Sequence, residues 1–508
     1  MSTVSRPEVV RGRVTDPLVV GLIALAVVAA HGYDGGLSRD MGVFTYGGLH
    51  VLAGIPPYVG IFNSVGPLAD LVPALGIWLG RLVDLGPVLS ERLLFSVITA
   101  ASCALVYVLA RDVLRSRAAG FVAAATLLTF RSFLVLGAGG PRDKTTMVLF
   151  LVATLVLVVR RHWLAAGAGT ALATLAWQPV LLPACVAALV GVAAVRTGRL
   201  RAGGLFLLGG MIPSAVAVAY FASQHALRVA FEGFLLVNLD YTHQPSLIDE
   251  PHQILALLVR GYGWTLWLAA AGLVALAVLS VVALARRPRD VGVLVVGAGG
   301  LAAVTWTVLV INGAPDLFVV LPFAAVGVAG AVAAVTAHLS TRSAWAVAGI
   351  VTAAATVAAG SEAVVARNND LAQQQADVSA VLAAAPTTHG LVSFNAPEVL
   401  ALAGRSNLSP FQIFDESKDQ YLQHMQPGGL PGYAAWVDGM HPDLIAVRTT
   451  HLPVWATPLR HDYEAVGTGP GWSWFVARSD GIRVAAQVRA ANWSVMHGGS
   501  GTGTSATP

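Results

Sequence analysis

Residues 31–68 read HGYDGGLSRDMGVFTYGGLHVLAGIPPYVGIFNSVGPL. This stretch follows an apolar run and carries two carboxylates, Asp34 and Asp40, just after that run ends. A carboxylate at the edge of a membrane helix is costly to desolvate unless it is paired, solvated or used in chemistry. Two interpretations therefore stand: the acids cap or solvate a helix end, or they belong to a reactive site outside the membrane.

The composition around this stretch is that of a membrane protein. Of 508 residues, 56% are hydrophobic and 11% are charged, and the mean hydropathy is +0.70. Soluble chains are roughly 25% charged, so a water-soluble fold is excluded. Apolar stretches of about 20 residues, long enough to cross a bilayer, recur over residues 19–360, and the chain then becomes polar.

The net charge of +4 comes mostly from arginine, because the chain has only two lysines, Lys144 and Lys418. We expect no nucleic-acid partner, since the arginine content is attributed to coding bias. The two cysteines, Cys103 and Cys185, lie in apolar segments without metal-ligand spacing, which predicts buried small hydrophobic side chains.

Arginine clusters orient the chain, because basic residues in short loops stay on the cytoplasmic side. Five such clusters predict a cytoplasmic N-terminus over residues 1–16 and a multi-pass protein of the inner (plasma) membrane. The odd number of crossings then places the C-terminal region outside the cytoplasm. The predicted helices, about eleven, lie near 17–31, 92–111, 118–137, 145–160, 163–177, 179–196, 203–222, 263–285, 291–311, 317–337 and 343–360.

The expected fold class is a polytopic α-helical membrane protein with a C-terminal extracytoplasmic α/β domain. Its membrane domain is expected over residues 17–360, with a large first outer loop at 32–91. The α/β domain is expected over 361–485, followed by a largely disordered tail at 486–508. Residues 68–85 are apolar, but a crossing there would invert every later loop, so they predict a helix at the outer interface.

A second polar cluster occupies a short predicted outer loop. Arg142, Asp143 and Lys144 stand together between two apolar segments. The two cations are suited to hold a phosphate, and Asp143 can balance them or bind a cation. Asp143 is equally suited to cap a helix that begins at Thr145. The two roles are compatible.

The order of these motifs resembles the integral-membrane glycosyltransferases of the GT-C class, in particular relatives of protein O-mannosyltransferase and aminoarabinose transferase. Those enzymes carry an acidic residue soon after the first helix, an interfacial helix and a second acidic site. Two positions depart from their pattern: Asp143 is a single acid, and Ser64-Val-Gly-Pro67 replaces His-x-Pro-Pro. The matching positions are Asp40, Tyr46, Gly54, Pro57-Tyr58 and Gly66-Pro67-Leu68.

The resemblance implies an inverting transfer of a mannose-type or arabinose-type sugar from a polyprenyl-phosphate donor to a cell-envelope acceptor. Asp40, or alternatively Asp34, would be the general base. Arg142 and Lys144 would bind the donor phosphate. Asp143 would orient the acceptor or bind a divalent cation (Mg²⁺ or Mn²⁺), and no other cofactor is expected. The expected partners are this donor, a glycan, lipid or protein acceptor, and the lipid bilayer.

Four further residues are candidate contacts for the acceptor or sugar. Tyr46 and Tyr58 belong to the first outer loop, and Asp240 and His243 belong to a later outer loop whose simpler interpretation is a solvated segment. Two rival functions also stand: a transporter or flippase for a lipid-linked sugar, and a non-catalytic envelope scaffold. No internal repeat supports a transporter. Asp316 and Trp177 are interpreted as structural, as a helix cap and a residue of the membrane boundary.

Overall fold

A computed structural model describes residues 15–241, 246–286, 290–385, 390–414, 416–451, 459 and 461–498. The chain forms two compact units. Unit 1 comprises Met1–Tyr33, Arg92–Tyr220 and Gln244–Arg367. Unit 2 comprises Asp34–Glu91, Phe221–His243 and Asn368–Pro508. This division differs from the expected boundary at residue 360, because the first outer loop and the C-terminal region belong to the same unit.

In unit 1, the regular secondary structure of the described residues consists of helices. A helix occupies each of the eleven predicted segments, and a bent pair, α5 and α6, occupies the segment at 118–137. The helices are α1 (Thr15–Ala30), α4 (Pro87–Leu114, whose first turn belongs to unit 2), α5 (Arg117–Thr129), α6 (Arg131–Gly139), α7 (Asp143–Val159), α8 (Trp163–Ala176), α9 (Leu181–Ala193), α10 (Arg199–Ser223), α12 (Pro251–Tyr262), α13 (Thr265–Ala285), α14 (Val291–Leu309), α15 (Leu321–Thr336) and α16 (Thr341–Val365).

Several of these helices can cross a membrane. Within the described residues, five are long and apolar enough: α4, α10, α13, α14 and the segment Thr341–Ala384, which comprises α16 and the following helix. The pair α5 and α6, bent by 69°, adds a sixth if it is one span. The chain therefore has the helices of a multi-pass membrane protein.

Small residues allow the helices of unit 1 to approach closely. A Cβ atom on Gly272 of α13 would meet the carbonyl of Ala324 on α15, and one on Gly167 of α8 would meet the carbonyl of Phe206 on α10. Lipid tails are as apolar as leucine, so the hydrophobic effect does little to hold membrane helices together. Van der Waals packing between closely approaching backbones stabilises their association instead. The glycines provide that packing.

Unit 2 combines the first loop with the C-terminal region. Its α2 packs on α3 at Gly47 and Gly48, where an added Cβ would meet Asp70 and Pro73. The predicted interfacial helix is α3, whose 14 residues span about 21 Å, less than the roughly 30 Å hydrocarbon core of a bilayer. The helices are α2 (Arg39–Leu52), α3 (Leu68–Arg81), α11 (Leu227–Phe231), a π-helix (Glu232–Tyr241), α17 (Asp370–Ala384), α18 (Pro397–Ala403), α19 (Glu416–Met425), α20 (Gly429–Asp438) and α21 (Ile482–Gly498).

The C-terminal part of unit 2 holds a four-stranded sheet in the order β1-β2-β4-β3. Strand β1 pairs parallel to β2, and β4 pairs antiparallel to both β2 and β3. Apolar side chains of β1 and β2, including Phe394 and Ile445, form a core with Tyr433 of α20. The strands are β1 (Leu391–Phe394), β2 (Leu444–Arg448), β3 (Tyr463–Thr468) and β4 (Trp472–Ala477).

The predicted disordered tail is wrong as far as Gly498, because α21 covers Ile482–Gly498. Asn492 of α21 is buried and donates a hydrogen bond of 2.6 Å to Asp377 Oδ1. The other oxygen of Asp377 accepts from the indole N–H groups of Trp472 and Trp474, at 3.0 and 2.9 Å. The carboxylate of Asp377 thus joins α17, β4 and α21. No local feature of the sequence indicates this link.

Replacing Asn492 with alanine is expected to lower the free energy of unfolding by about 1.5 kcal/mol, because Asp377 Oδ1 loses a buried donor. Thermal unfolding of the purified protein in detergent would measure the loss. Ser494→Ala is the matched control on the same helix, since Ser494 is exposed and donates to the carbonyl of Ala491. Equal melting of the two variants would contradict the role of Asn492.

Candidate active site

Asp40 lies in the first turn of α2. Ser38 caps this helix by accepting a hydrogen bond from the backbone N–H of Met41. The Arg39 Nε atom lies 3.3 Å from Asp40 Oδ1, and 36% of the Asp40 side chain is exposed. Asp40 is therefore an oriented carboxylate within reach of a substrate. Asp34 is also exposed, and its backbone carbonyl accepts from the N–H of Leu371.

A buried glutamate stands beside the start of α2. A Cβ atom on Gly42 would overlap the backbone of Glu398, so helix and glutamate approach closely. Glu398 is 2% exposed and accepts a hydrogen bond of 2.8 Å from Arg448. Burial raises the pKa of Glu398, while the charges of Arg448 and Arg39 oppose the rise. Arg39 therefore acts electrostatically on two acids, and sequence reasoning missed Glu398 because it is remote in the chain.

A second buried carboxylate lies under α2. Asp70 of α3 is 2% exposed and lies against Gly47. Asp70 belongs to the helix predicted at the outer interface, and its side chain points into unit 2. Burial raises the pKa of Asp70 to about 8. The carboxyl group is therefore protonated in the folded protein at neutral pH.

The free energy of unfolding should fall as the pH rises from about 4 to about 8. Over this range the folded protein keeps the Asp70 proton, whereas the unfolded chain releases it near its ordinary pKa of 3.8. Asp70→Asn removes this dependence, and we expect it to raise the free energy of unfolding by about 2 kcal/mol at pH 8, with a smaller gain at pH 5. Melting temperatures of both proteins across this range give the test. A constant difference between them would exclude Asp70 as the titrating group.

The candidate acceptor contacts of unit 2 lie in different environments. Tyr46 is buried, and its hydroxyl accepts from the N–H of Asn407 at 2.7 Å. Tyr58 is also buried, donates to the carbonyl of Val65 at 2.7 Å and has a φ of +70°. Asp240 is exposed on the π-helix, and His243 lies outside the described residues. Tyr58 holds the first loop together, Tyr46 joins that loop to the C-terminal region, and the sugar-binding role of all four residues stays a prediction.

Unit 1 contains the second cluster. Asp143 is the first residue of α7 and is 2% exposed, and Arg142, just before it, is buried as well. The Lys144 Nζ atom lies 3.4 Å from Asp143 and 3.3 Å from Asp316. It also lies 5.3 Å from the ring centre of Trp177, a cation–π distance. The ammonium group is thus held by two carboxylates and an aromatic face.

The structure gives Asp316 a second task. Its Oδ2 atom accepts hydrogen bonds from the N–H groups of Asn312 and Gly313, so Asp316 caps the 3₁₀-helix Ala314–Val319 from the third position of that helix and not as its N-cap residue. Its Oδ1 atom pairs with Lys144, which sequence reasoning missed. The alternative that Asp143 caps a helix starting at Thr145 is wrong, because α7 begins at Asp143 itself. Asp316 and Trp177 are therefore part of the candidate site. The sequence feature that could have indicated this role for Asp316 is its carboxylate in a predicted outer loop.

Two buried side chains anchor the segments beside this cluster. Arg92 is 1% exposed and donates to the carbonyls of Tyr33 and of Gly139, three residues before Arg142. The hydroxyl of Tyr262 donates to the carbonyl of Ala314 at 3.0 Å. Burial raises the pKa of Tyr262, an effect that Asp316 strengthens and Arg142 weakens. In the cluster itself, the cations Arg142 and Lys144 balance the carboxylates Asp143 and Asp316. Such a desolvated setting can receive an anion such as a phosphate.

A divalent cation fits this cluster poorly. Its two carboxylates, Asp143 and Asp316, already share the ammonium group of Lys144. In the parts of the chain that the structure describes, no group of three or more His, Cys, Asp or Glu side chains could hold a metal ion. The predicted Mg²⁺ or Mn²⁺ at Asp143 therefore stays a prediction.

Comparisons with known proteins identify the fold. No protein-family model matches the sequence, and no curated protein matches it. Two crystal structures of the aminoarabinose transferase ArnT from Cupriavidus metallidurans are similar to the chain, one bound to undecaprenyl phosphate and one in the apo state. The TM-scores are 0.66 and 0.65, at 14% and 13% identity. The matches cover 93% and 92% of this chain and 99% and 98% of those chains. The chain therefore has the GT-C glycosyltransferase fold.

Proposed function

We propose that the chain is a membrane glycosyltransferase that transfers a sugar from a polyprenyl-phosphate donor to an acceptor outside the cytoplasm. The observation that carries the proposal is the pair of cations at the start of α7, the buried Arg142 and the partly buried Lys144, in a chain with the GT-C fold. The crystal structure of ArnT with undecaprenyl phosphate supports a donor of this lipid class.

The leaving group is the polyprenyl phosphate, whose negative charge grows as the bond from its oxygen to the anomeric carbon breaks. Charge-assisted hydrogen bonds from Arg142 and Lys144 stabilise that charge, and more strongly in a desolvated site than in water. Asp143 and Asp316 hold the Lys144 ammonium in place before the donor arrives. Their two negative charges keep the empty cluster neutral.

The acceptor hydroxyl forms the new bond to the anomeric carbon and must lose its proton as it attacks. We assign Asp40 as the general base, because its carboxylate is oriented by α2 and partly exposed. A single displacement inverts the anomeric centre, and the proton passes from Asp40 to solvent. Asp34 is the less favoured base, since it precedes α2 and no helix orients it.

We also propose a membrane topology, a donor sugar and an acceptor class. Arginine clusters in alternate loops support eleven crossings of the inner membrane, with the N-terminus in the cytoplasm and the sheet of unit 2 outside. The GT-C resemblance of residues 40–68 supports a mannose-type or arabinose-type sugar and a cell-envelope acceptor. The sheet and helices of unit 2 support an extracytoplasmic α/β domain, with acceptor recognition as its role.

The test is transfer of radiolabelled sugar from polyprenyl-phosphate mannose or polyprenyl-phosphate arabinose to envelope acceptors. Membranes containing the wild-type protein are compared with membranes that lack it, and an EDTA-treated sample tests the divalent cation. We expect label in the acceptor fraction with one donor. No transfer with either donor, combined with movement of the intact lipid-linked sugar across vesicles, would replace the proposal with a flippase; neither activity would favour a scaffold.

A further inference from the structure

A groove of about 420 Å³ lies on unit 1 along α16. Its floor consists of small side chains, among them Gly349, Thr352 and Ala353, and its walls include Ile23 of α1, Phe121 of α5 and Trp345 of α16. The volume lies within the range of small-ligand sites, about 300–1,000 Å³. A Cβ atom added at Gly349 would meet no atom within 4 Å, so the groove is open there.

The position of the groove selects a hydrocarbon ligand. Helix α16 belongs to an apolar segment long enough to cross a membrane, and a groove on such a helix opens toward acyl chains. The small residues that line it usually allow another helix to pack closely. Here they leave an open groove, and the rings of Phe121 and Trp345, with centres 6.5 Å apart, pair with each other at its side.

Two arginines, one of them paired with an acid, stand at the end of the groove near Trp345. The guanidinium carbon of Arg117 lies 5.9 Å from the Trp345 ring centre. Arg117 also binds Asp16 through two hydrogen bonds of 2.8 and 2.9 Å. Arg342 lies one turn before Trp345 on the same face of α16 and adds a positive charge. Tryptophan and arginine mark the depth of lipid headgroups in membrane proteins.

We infer that this groove binds one anionic glycerophospholipid, with an acyl chain between α1, α5 and α16 and the phosphate beside Arg117 and Arg342. The proposed donor site is a different site. It lies at Arg142, just after α6 ends, whereas the basic end of the groove lies at Arg117, where α5 begins. A second copy of the chain fits the groove less well, since a two-fold axis along the membrane normal would bring two basic ends together.

Native mass spectrometry of delipidated protein gives the test, with dioleoyl phosphatidylglycerol and dioleoyl phosphatidylcholine as probes that differ in headgroup charge. We expect the wild-type protein to bind one phosphatidylglycerol about tenfold more tightly than phosphatidylcholine, the ratio that 1.4 kcal/mol would give. Gly349→Leu fills the groove and should lose that adduct. Gly360→Leu is the control on the same helix, because a Cβ atom there also meets nothing within 4 Å.

Arg342→Gln distinguishes the contribution of the lipid headgroup from that of the acyl chain. It should reduce the affinity for phosphatidylglycerol to that for phosphatidylcholine and leave phosphatidylcholine binding unchanged. Equal binding of phosphatidylglycerol by Gly349→Leu and Gly360→Leu would overturn the site. Tighter binding of undecaprenyl phosphate that Gly349→Leu abolishes would overturn the choice of lipid. A dimer that only Gly349→Leu dissociates would assign the groove to a second copy. All readouts are independent of sugar transfer.

Discussion

Asp40→Asn is expected to lower the rate of sugar transfer about 10³-fold, within the 10²–10⁴-fold contribution of a general base. The amide has the shape of the carboxylate but does not accept a proton from the acceptor hydroxyl. The Ser38 cap of α2 does not use the Asp40 side chain, so the fold should be retained. Initial rates in vesicles, with donor and acceptor saturating, would measure the loss, since the effect belongs to the chemical step.

Asp34→Asn is the matched control for this prediction. Asp34 precedes α2 and is exposed, and its backbone carbonyl accepts a hydrogen bond from the N–H of Leu371. We expect that variant to keep transfer within about threefold of wild type. The opposite pattern, with Asp34→Asn inactive and Asp40→Asn active, would move the base to Asp34. Full activity of both variants would remove both acids from the chemistry.

Lys144→Met is expected to raise the KM for the polyprenyl-phosphate donor and to lower kcat, reducing kcat/KM by about 10²–10³-fold. A lost charge-assisted contact to the leaving phosphate weakens both ground-state binding and the stabilisation of developing charge. The variant also leaves Asp143 and Asp316 without the shared ammonium group, so it should melt at a lower temperature. Donor-dependence curves and thermal unfolding would measure the two effects.

Two further variants separate binding from stability at this position. Lys144→Met combined with Asp316→Asn removes one buried negative charge, and should regain much of the lost stability without regaining transfer. Lys144→Arg keeps the charge and should keep more activity than Lys144→Met. Recovery of transfer in the double variant would show that Lys144 is structural, and that the phosphate is held by other groups.

Much of the helical organisation could be predicted from the sequence. Apolar stretches and arginine clusters gave the positions of eleven helical segments, because hydropathy and loop charge are local properties. The bend between α5 and α6 was missed. It falls at Phe130, whose φ and ψ of −66° and 109° interrupt the helix, and neither proline nor glycine marks that place in the sequence.

The candidate site was only partly predictable, because its partners are distant in the chain. Asp40, Arg142 and Lys144 stood out as charges beside apolar segments. Asp316 is 172 residues from Lys144, and no spacing rule links a loop carboxylate to a lysine that far away. The predicted tail failed for a related reason: α21 is fixed by Asp377, which is 115 residues earlier.

Unit 2 is assembled from three separate segments, and this sets the order in which it can mature during synthesis. The N–H of Leu37 donates to Gln374, which is 337 residues later. Such contacts form slowly, since a long loop must close before they give any stability. The first loop must therefore wait, with its partner surfaces unoccupied, until the ribosome has made the last third of the protein. Variants that slow late synthesis or remove α21 should expose this loop to proteases and quality control while the earlier helices of unit 1, α1 and α4 to α10, are already inserted.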